Sequence, residues 1–367
     1  MKALNFNKLY WILFSIFIMT TISVVMFCVI FPPHAQIPTT GPYHVAVLKY
    51  SWNDNQDKVL NSSRDYAPAR FFTKSLNKNR ATNFAKSRIV NAQLYYPEDL
   101  SINKKYPLIL FSHGGLSIET SNISLFRELA SQGYIVCSIG HPSHALWTHS
   151  SNGKLTFIDF NYLKEIFSEN AKKNPAQSLE FYRKWLLLRL NDFNLVLDSI
   201  IELAKTTNEF PFFAIDTTRI GVGGHSLGGS AALAFSRERK EITAVIALES
   251  PYLDDIQTVE NGKFIFREPN DSVPTLNIYS DETWQKFDRL PQYFQNERML
   301  TKQYEFAENV YLPGAGHFSL TDLSLTSPLL TWLLEGRIHA TASATEYLQK
   351  MNFFCLTFFN QYLKNSK

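Results

Sequence analysis

The sequence predicts an α/β fold in which helices cover both faces of a mostly parallel central sheet. Apolar runs of strand length alternate along the chain with longer runs whose apolar residues recur at helical spacing. Several strand-length runs are apolar throughout, as expected for strands that are covered on both faces. The 367 residues are 45% hydrophobic and carry a net charge of only +3, a composition that favours a large core and disfavours nucleic-acid binding.

The amino-terminal segment is predicted to be a membrane anchor. Residues 9–31 contain no charged side chain, and these 23 residues exceed the length of about 20 that a membrane-spanning helix needs. Lys2 and Lys8 precede the run, so the positive-inside rule predicts that residues 1–8 form a cytoplasmic tail and that the rest of the chain is extracytoplasmic. A cleaved signal peptide, with secretion of the remainder, is the alternative, although its apolar region usually has only about 7–15 residues.

Residues 32–42 are predicted to be a linker, and residues 43–367 a single catalytic domain. His44–Tyr50 and Arg88–Pro97 are typical of outer strands, separated by a long polar excursion over Asn53–Lys86. The later predicted strands are Tyr106–Phe111, Tyr134–Gly140, Arg219–Gly223, Ala244–Glu249, Thr275–Tyr279 and Asn309–Leu312. Helices are predicted from about residue 121 to 133, over about 177–205, directly after Ser226, and over about 327–335 and 345–363. We expect the irregular, aromatic stretch 141–176 to be an insertion that forms a partial cap over the site.

A serine motif lies at the turn from a predicted strand into a predicted helix. The run Gly224-His225-Ser226-Leu227-Gly228 has the pattern G-x-S-x-G in the context that gives the pattern its meaning. Glycines two residues before and after the serine remove the clash that a sharp turn would otherwise cause. The following helix directs its first N–H groups at any anion that forms near the serine. Ser226 is therefore predicted to be the nucleophile of an α/β-hydrolase fold.

The predicted general base is His317. A serine hydroxyl needs a base within hydrogen-bond reach and an acid that orients the base, and in this fold the acid and then the histidine follow the serine in sequence. Of the two histidines after Ser226, His317 lies in a glycine-rich loop directly after the last apolar strand. The other, His339, lies in a polar segment between the two final helices.

The acid is not decided by position alone. Glu249 ends the strand that follows the serine helix, and Asp281 ends the next strand. Both places lie at the edge of the sheet where the acid of this fold is found. Asp254 and Asp255, on the loop after Glu249, are weaker candidates.

The oxyanion hole is predicted from backbone N–H groups. His113-Gly114-Gly115 follows the third apolar strand, so we assign one donor to Gly115 and the other to Leu227, the residue after the nucleophile. His113 and His225 are interpreted as structural residues. His141 and His144 have no acidic or cysteine neighbours at the spacing of metal ligands, so no metal and no other cofactor is expected.

Several of these segments, taken in order, resemble the plasma-type, or isoform II, platelet-activating factor acetylhydrolases. The segments that carry the resemblance are Gly41–Tyr43, Leu94–Pro97, Lys105–Gly114, Leu129–Val136, Gly224–Gly229 and Ile246–Glu249. The resemblance covers nearly all of the chain after the anchor, except the cap and residues 252–303. It implies the α/β-hydrolase fold and a serine-dependent, calcium-independent lipase that releases short or oxidised acyl groups from phospholipids.

The resemblance also bears on the site. It implies an acid at Glu249, where the family usually carries aspartate, so Asp281 stays the alternative. It places the oxyanion donors on Gly115 and Leu227, with Gly115 replacing a bulkier residue, a change that would loosen the hole or admit a wider acyl group. We expect a membrane-anchored serine carboxylester hydrolase whose partners are a lipid or small ester and the membrane itself. A general esterase or thioesterase is the alternative, and an inactive hydrolase-fold binding protein is the third hypothesis.

Overall fold

The computed structural model describes residues 6–54, 88–101, 103–151, 153–269, 272–302, 304–336 and 341–364. Most of the predicted excursion over Asn53–Lys86, the first five residues of the predicted cytoplasmic tail and His339 lie outside the described residues.

Eight strands form the main sheet. The described strands are β1 (Val45–Asp54), β2 (Arg88–Pro97), β3 (Tyr106–Ser112), β4 (Ile135–Ile139), β5 (Trp147–His149), β6 (Leu155–Phe157), β7 (Ile215–His225), β8 (Ile242–Leu248), β9 (Ile256–Glu260), β10 (Lys263–Phe266), β11 (Thr275–Tyr279) and β12 (Ala307–Tyr311). The sheet has the order β1-β2-β4-β3-β7-β8-β11-β12. Strand β2 pairs antiparallel with β1 and β4, and the remaining neighbours pair parallel. The predicted mostly parallel sheet is confirmed.

Helices lie on both faces of this sheet, as predicted. The described α-helices are α1 (Phe6–Ile30), α2 (Ile123–Ser131), α3 (Phe160–Ser168), α4 (Pro175–Thr206), α5 (Leu227–Glu238), α6 (Asp281–Trp284), α7 (Phe294–Lys302), α8 (Leu323–Thr326), α9 (Pro328–Glu335) and α10 (Thr341–Phe359). One core packs α4 and α5 on the sheet through residues such as Phe193 and Phe235. The other core packs α2 and α10 on the opposite face through residues such as Phe126 and Met351. Strands β3 and β4 between the two cores are buried at every residue, because neither face meets solvent.

The stretch 141–176 is not irregular, contrary to our expectation. It contains the two-stranded sheet β5–β6 and the nine-residue helix α3. Helix α3 begins after Asp159, whose side chain accepts hydrogen bonds from the N–H groups of Asn161 and Tyr162. The helix was not predicted because it has only nine residues, fewer than the roughly 11–18 over which apolar periodicity identifies a helix, and only Tyr162 among them is buried.

Helix α1 stands apart from the two cores. Residues Tyr10–Ile30 are long and apolar enough to cross a membrane, and none of this span is buried against the rest of the protein. A signal sequence near an amino terminus would have the same properties. At the end of α1, the carbonyl oxygen of Ile30 accepts a hydrogen bond of 2.5 Å from the hydroxyl of Ser327, which directly precedes α9.

Candidate active site

Ser226 occupies a strained turn between β7 and α5. Its backbone has φ 53° and ψ −123°, a conformation that is costly for any residue other than glycine. The Ser226 N–H donates to the carbonyl oxygen of Leu248 at 2.8 Å, which ties the turn to the end of β8. This is the geometry expected of a nucleophile that is held out above the edge of a sheet.

The flanking glycines permit close approach of two backbone segments. A Cβ on Gly224 would lie 2.3 Å from the carbonyl carbon of Gly228. A Cβ on Gly228 would lie 2.0 Å from the carbonyl oxygen of Ser112 and 2.5 Å from that of His113. The glycine at 228 therefore lets the start of α5 pack directly against the loop that follows β3.

The predicted oxyanion donors lie beside Ser226. Leu227 is the first residue of α5, so its N–H has no partner within the helix. Gly115, Ser226 and Leu227 line one cavity of about 220 Å³, together with Leu116, Ile166, Glu169 and Trp185. The structure thus brings the predicted nucleophile and both predicted donors to one cavity, and α3 supplies part of its wall.

His317 and Glu249 face each other. Nδ1 of His317 lies 3.4 Å from Oε2 of Glu249, whose side chain is fully buried, whereas the histidine side chain is 26% exposed. The other contacts of the carboxylate are the N–H of Ser280 on Oε1 and the hydroxyl of Thr283 on Oε2. Two donors and an imidazole therefore surround the buried carboxylate and fix its direction.

The backbone of Glu249 is also strained. Its φ of 49° lies in the left-handed region, which a non-glycine residue adopts only when its surroundings enforce it. Its N–H donates to the carbonyl oxygen of Ile278 at 2.9 Å, and its own carbonyl accepts from the hydroxyl of Tyr293 at 2.8 Å. This turn directs the side chain towards His317 rather than along β8.

Asp281 makes different contacts. Its Oδ1 accepts hydrogen bonds from the hydroxyl of Tyr311 at 2.6 Å and from the N–H of Gly314 at 3.1 Å. Asp281 thus holds the start of the loop that carries His317. Asp255 is buried between Arg237 and Arg267, and Asp254 is about half exposed beside Arg237.

His225 links the serine turn to the histidine loop. Its ring lies 4.5 Å from that of His317, centroid to centroid, and its Nε2 lies 3.0 Å from the carbonyl oxygen of His317. A carbonyl can only accept, so Nε2 carries the hydrogen. Burial, and then the neighbouring His317, lower the pKa of His225 well below its ordinary value, so the ring is neutral. His225 is buried, and its contact with the carbonyl oxygen of His317 fixes the backbone of the predicted base.

The histidines of the β3 side have structural contacts. His113 is buried with Nδ1 2.7 Å from the carbonyl oxygen of Gly114. His141 lies between Ser112 and Asp192, with both contacts at 2.8 Å. The ring of His144 stacks on the ring of Tyr162, with 3.8 Å between the ring centroids. Within the described part of the chain, no three His, Cys, Asp or Glu side chains come together as metal ligands would.

Arg189 was not predicted from the sequence. It lies on α4, is fully buried, and donates to the hydroxyl of Ser112 and to the carbonyl oxygens of His113 and Gly114. The sequence nevertheless contains a sign that Arg189 is buried. Arg189 follows Leu186 by three residues and therefore lies on the apolar, core-facing side of its helix. A cation on such a face needs buried acceptors, and here the loop after β3 provides them.

A second cavity of about 300 Å³ is lined by His317, which does not line the cavity of Ser226. Its lining residues are Glu282, Thr283, Lys286, Leu290, Gln292, Tyr293, His317, Phe318, Leu334 and Glu335. His317 is thus reached from a space formed by α6, by α9 and by the segment between α6 and α7.

Comparison with known proteins shows where this architecture recurs. Residues 69–367 match the family described as platelet-activating factor acetylhydrolase, isoform II. A platelet-activating factor acetylhydrolase from dog is 26% identical over 168 residues, which are 41% of this chain and 36% of that protein. Dipeptidyl peptidase 8 from mouse is 27% identical over 194 residues, which are 51% of this chain and 17% of that protein. The chain therefore spans about a third or less of the length of these relatives.

Among solved structures, a ferulic acid esterase from Streptomyces cinnamoneus has a similar fold. The TM-score is 0.60, the identity is 18%, and the alignment covers 91% of this chain and 94% of that one. The fold is the α/β-hydrolase fold, as predicted.

Proposed function

Since the chain belongs to the platelet-activating factor acetylhydrolase isoform II family, we propose that it is a serine carboxylester hydrolase that releases short acyl groups from phospholipids. In this proposal Ser226 is the nucleophile, His317 the general base and Glu249 the acid that orients the base. The N–H groups of Gly115 and Leu227 form the oxyanion hole.

One observation carries the proposal. A strained serine and two backbone segments that supply N–H donors line a single cavity of about 220 Å³. An ester carbonyl in this cavity would have its carbon against the hydroxyl of Ser226 and its oxygen against the N–H groups. The volume is below the roughly 300–1,000 Å³ of a typical ligand pocket, which favours a short acyl group.

Acylation follows from this arrangement. Ser226 Oγ attacks the ester carbon and passes its proton to Nε2 of His317, the ring nitrogen opposite the one that faces Glu249. The negative charge that develops on the carbonyl oxygen is stabilised by the N–H groups of Gly115 and Leu227. Collapse of the tetrahedral intermediate expels the alcohol, which takes the proton from His317 and leaves an acyl ester on Ser226.

Deacylation repeats the same steps with water. His317 removes a proton from a water molecule, which attacks the acyl carbon in the same oxyanion hole. The second intermediate breaks its bond to Ser226 Oγ, and His317 returns the proton to that oxygen. The products are the carboxylic acid and the free enzyme. Throughout, the buried carboxylate of Glu249 holds the ring in place and stabilises its cationic form.

A general esterase or thioesterase without phospholipid preference is the second candidate. The wall of the acyl cavity is mainly apolar, with side chains of Leu116, Ile166 and Trp185, and carries one carboxylate, Glu169. Such a wall selects a short uncharged acyl group and is indifferent to the alcohol or thiol on the other side of the ester.

We further propose that α1 is an uncleaved anchor, with its amino terminus in the cytoplasm and the catalytic domain outside. Helix α9 supports this placement, because Trp332, Leu333 and Leu334 are 40%, 62% and 60% exposed. The hydrogen bond from Ser327 to Ile30 places this apolar face next to the end of α1, where a bilayer surface would cover it. Leu334 also lines the second cavity, so a lipid could reach His317 from that surface.

Covalent labelling tests the catalytic proposal. A fluorophosphonate probe should label the full-length protein in detergent, and Ser226→Ala should abolish labelling and turnover. Equal labelling of the two proteins would contradict the nucleophile assignment and would favour an inactive hydrolase-fold protein. Parallel rates on short-acyl phosphatidylcholine, on p-nitrophenyl esters and on the matching thioesters then separate the two candidate functions.

The fate of α1 is tested by the mass of the protein recovered from membranes. An intact chain that stays with the membrane after a high-salt wash supports the anchor. A soluble protein that begins after residue 31 would favour a cleaved signal.

A further inference from the structure

We propose that Arg189 is a positioning residue that directs the N–H of Gly115 into the oxyanion hole. The inference rests on the proposed function, since it assigns a role in the same reaction. It concerns a side chain on α4 that contacts the loop after β3 and not the reacting atoms.

The guanidinium of Arg189 makes three hydrogen bonds to this loop. Nη1 donates to the hydroxyl of Ser112 at 2.9 Å and to the carbonyl oxygen of His113, and Nη2 donates to the carbonyl oxygen of Gly114 at 3.1 Å. Three consecutive residues thus accept from one planar group, and the fork of arginine is suited to hold several acceptors in fixed directions. The side chain is fully buried, so water does not compete for these carbonyls.

The direction of the Gly115 N–H follows from the geometry of the peptide group. The carbonyl of Gly114 and the N–H of Gly115 belong to one planar, trans peptide unit, so they point in opposite directions. Because the Gly114 oxygen faces Arg189, and also lies 2.7 Å from Nδ1 of His113, the Gly115 N–H points away from the guanidinium. Gly115 lines the cavity of Ser226, whereas Arg189 does not. A glycine pair without this anchor could rotate its peptide planes at little cost.

The guanidinium is itself held by a buried chain of polar groups. Nε2 of His141 lies 2.8 Å from the hydroxyl of Ser112, and its Nδ1 lies 2.8 Å from Asp192, one helical turn after Arg189. Arg88 closes the chain by pairing with the carboxylate of Asp192. Burial, and then the nearby arginines, lower the pKa of His141 well below its ordinary value. The neutral ring therefore donates from Nδ1 to Asp192 and accepts from the Ser112 hydroxyl, which in turn accepts from Arg189.

The reaction needs such an anchor. The oxyanion exists only in the intermediates and transition states, so donors accelerate the reaction only if they are already aimed at its position. Loss of one donor typically lowers the rate by roughly 10²- to 10³-fold, and misdirection of the same donor should remove part of this effect. The substrate in its ground state depends less on the donor, so the KM should change little.

The test compares an oxygen ester with its thiono analogue, in which sulfur replaces the carbonyl oxygen. An oxyanion hole discriminates against sulfur, because sulfur is larger and is a weaker hydrogen-bond acceptor. In Arg189→Met we expect kcat for the oxygen ester to fall by roughly 10- to 100-fold. We also expect the ratio of kcat/KM between the two esters to approach unity. Arg189→Lys, which keeps a charge but loses the fork, should lie between Met and wild type.

The matched control is Arg237→Met on α5, which removes another largely buried arginine, paired with Asp255, away from the loop. A loss of stability alone leaves the oxyanion hole correctly built. This variant should therefore lose stability but keep the wild-type ratio of kcat/KM between the oxygen ester and the thiono ester. An unchanged ratio in folded Arg189→Met, or in Arg189→Lys if the first variant does not fold, would overturn the inference. A wild type that hydrolyses neither ester would contradict the proposed function itself and this inference with it.

Discussion

The carboxylate of Glu249 lies 3.4 Å from Nδ1 of His317 and is fully buried, although an aspartate one strand further along, Asp281, reaches the same loop. Both acids contact this loop, but at different places. Glu249 contacts the ring, and Asp281 contacts the backbone at Gly314. The extra methylene of glutamate is accommodated because the strained turn after β8 directs the side chain across the edge of the sheet.

The first prediction concerns the identity of the acid. Glu249→Gln should lower kcat by roughly 10³- to 10⁴-fold, because an amide can present its NH₂ group to Nδ1 and leave the wrong ring nitrogen protonated. Asp281→Asn should lower kcat far less, since its oxygen can still accept from Tyr311 and Gly314. Steady-state kinetics on a p-nitrophenyl ester measure both effects. A large loss in Asp281→Asn with a near-normal Glu249→Gln would reverse the assignment.

The sequence predicts the serine and the histidine more firmly than the acid, for a physical reason. A strand-to-helix turn with glycines at 224 and 228 has few uses other than to present Ser226, so local pattern is sufficient there. Glu249 and Asp281 each follow a strand at the same edge of one sheet, so spacing cannot separate them. Their difference lies in side-chain direction, which depends on contacts with Ser280, Thr283 and Tyr293 from later elements.

The elements that escaped prediction depend on contacts distant in sequence. Helix α3 has only nine residues, fewer than the roughly 11–18 over which apolar periodicity identifies a helix, and it covers the site with one buried residue instead of filling a core. The role of Arg189 requires that α4 and the loop after β3, about 75 residues apart, come together. By contrast, the strands Arg88–Pro97 and Thr275–Tyr279 have the bounds that their sequence pattern predicted. Buried strands are recognisable in a sequence because they form continuous or alternating apolar runs.

The second prediction concerns acyl length. A Cβ on Gly115 would lie 3.4 Å from the hydroxyl of Tyr162 and 3.5 Å from Cδ1 of Ile166, so a larger side chain would grow into the acyl cavity. Gly115→Leu should lower kcat/KM for butyrate and hexanoate esters of p-nitrophenol more than for the acetate. Gly115→Ala is the control, because its methyl group would make only ordinary van der Waals contacts. Its preference among acyl lengths should therefore change little. An equal loss on all chain lengths in Gly115→Leu would place the acyl group elsewhere.

The third prediction concerns the packing of α5 on the loop after β3. In Gly228→Ala the new methyl group would meet the carbonyl oxygens of Ser112 and His113 at 2.0 and 2.5 Å, so backbone must shift. We expect the free energy of unfolding to fall by about 1–3 kcal/mol or more, and activity to fall with it. Gly223→Ala, whose nearest contacts are at 3.4 Å, should be milder in both respects. Denaturant titration of the detergent-solubilised protein measures the difference, and equal losses in the two variants would contradict the packing argument.

The fourth prediction concerns pH and the carboxyl of Asp322, which accepts a hydrogen bond of 2.9 Å from the N–H of Ser124 in the first turn of α2. Burial raises the pKa of Asp322 from 3.8 to about 6. The hydrogen bonds from Ser124 and the charge of the nearby His34 lower this pKa, but their effect is smaller than that of burial. The folded protein therefore binds this proton more tightly than the unfolded chain, so the contribution to stability is fully present below pH 4 and is lost as the pH rises to about 6. The shift of about two units corresponds to about 3 kcal/mol.

Asp322→Asn removes this titration while keeping an oxygen that can accept from Ser124. The difference in stability between the variant and the wild type should therefore become more favourable to the variant by about 3 kcal/mol between pH 4 and pH 8. Thermal melts of both full-length proteins in the same detergent at several pH values measure the change. A difference that stays constant across this range would mean that Asp322 has the same pKa in the folded and unfolded chains, and that burial does not control its ionisation.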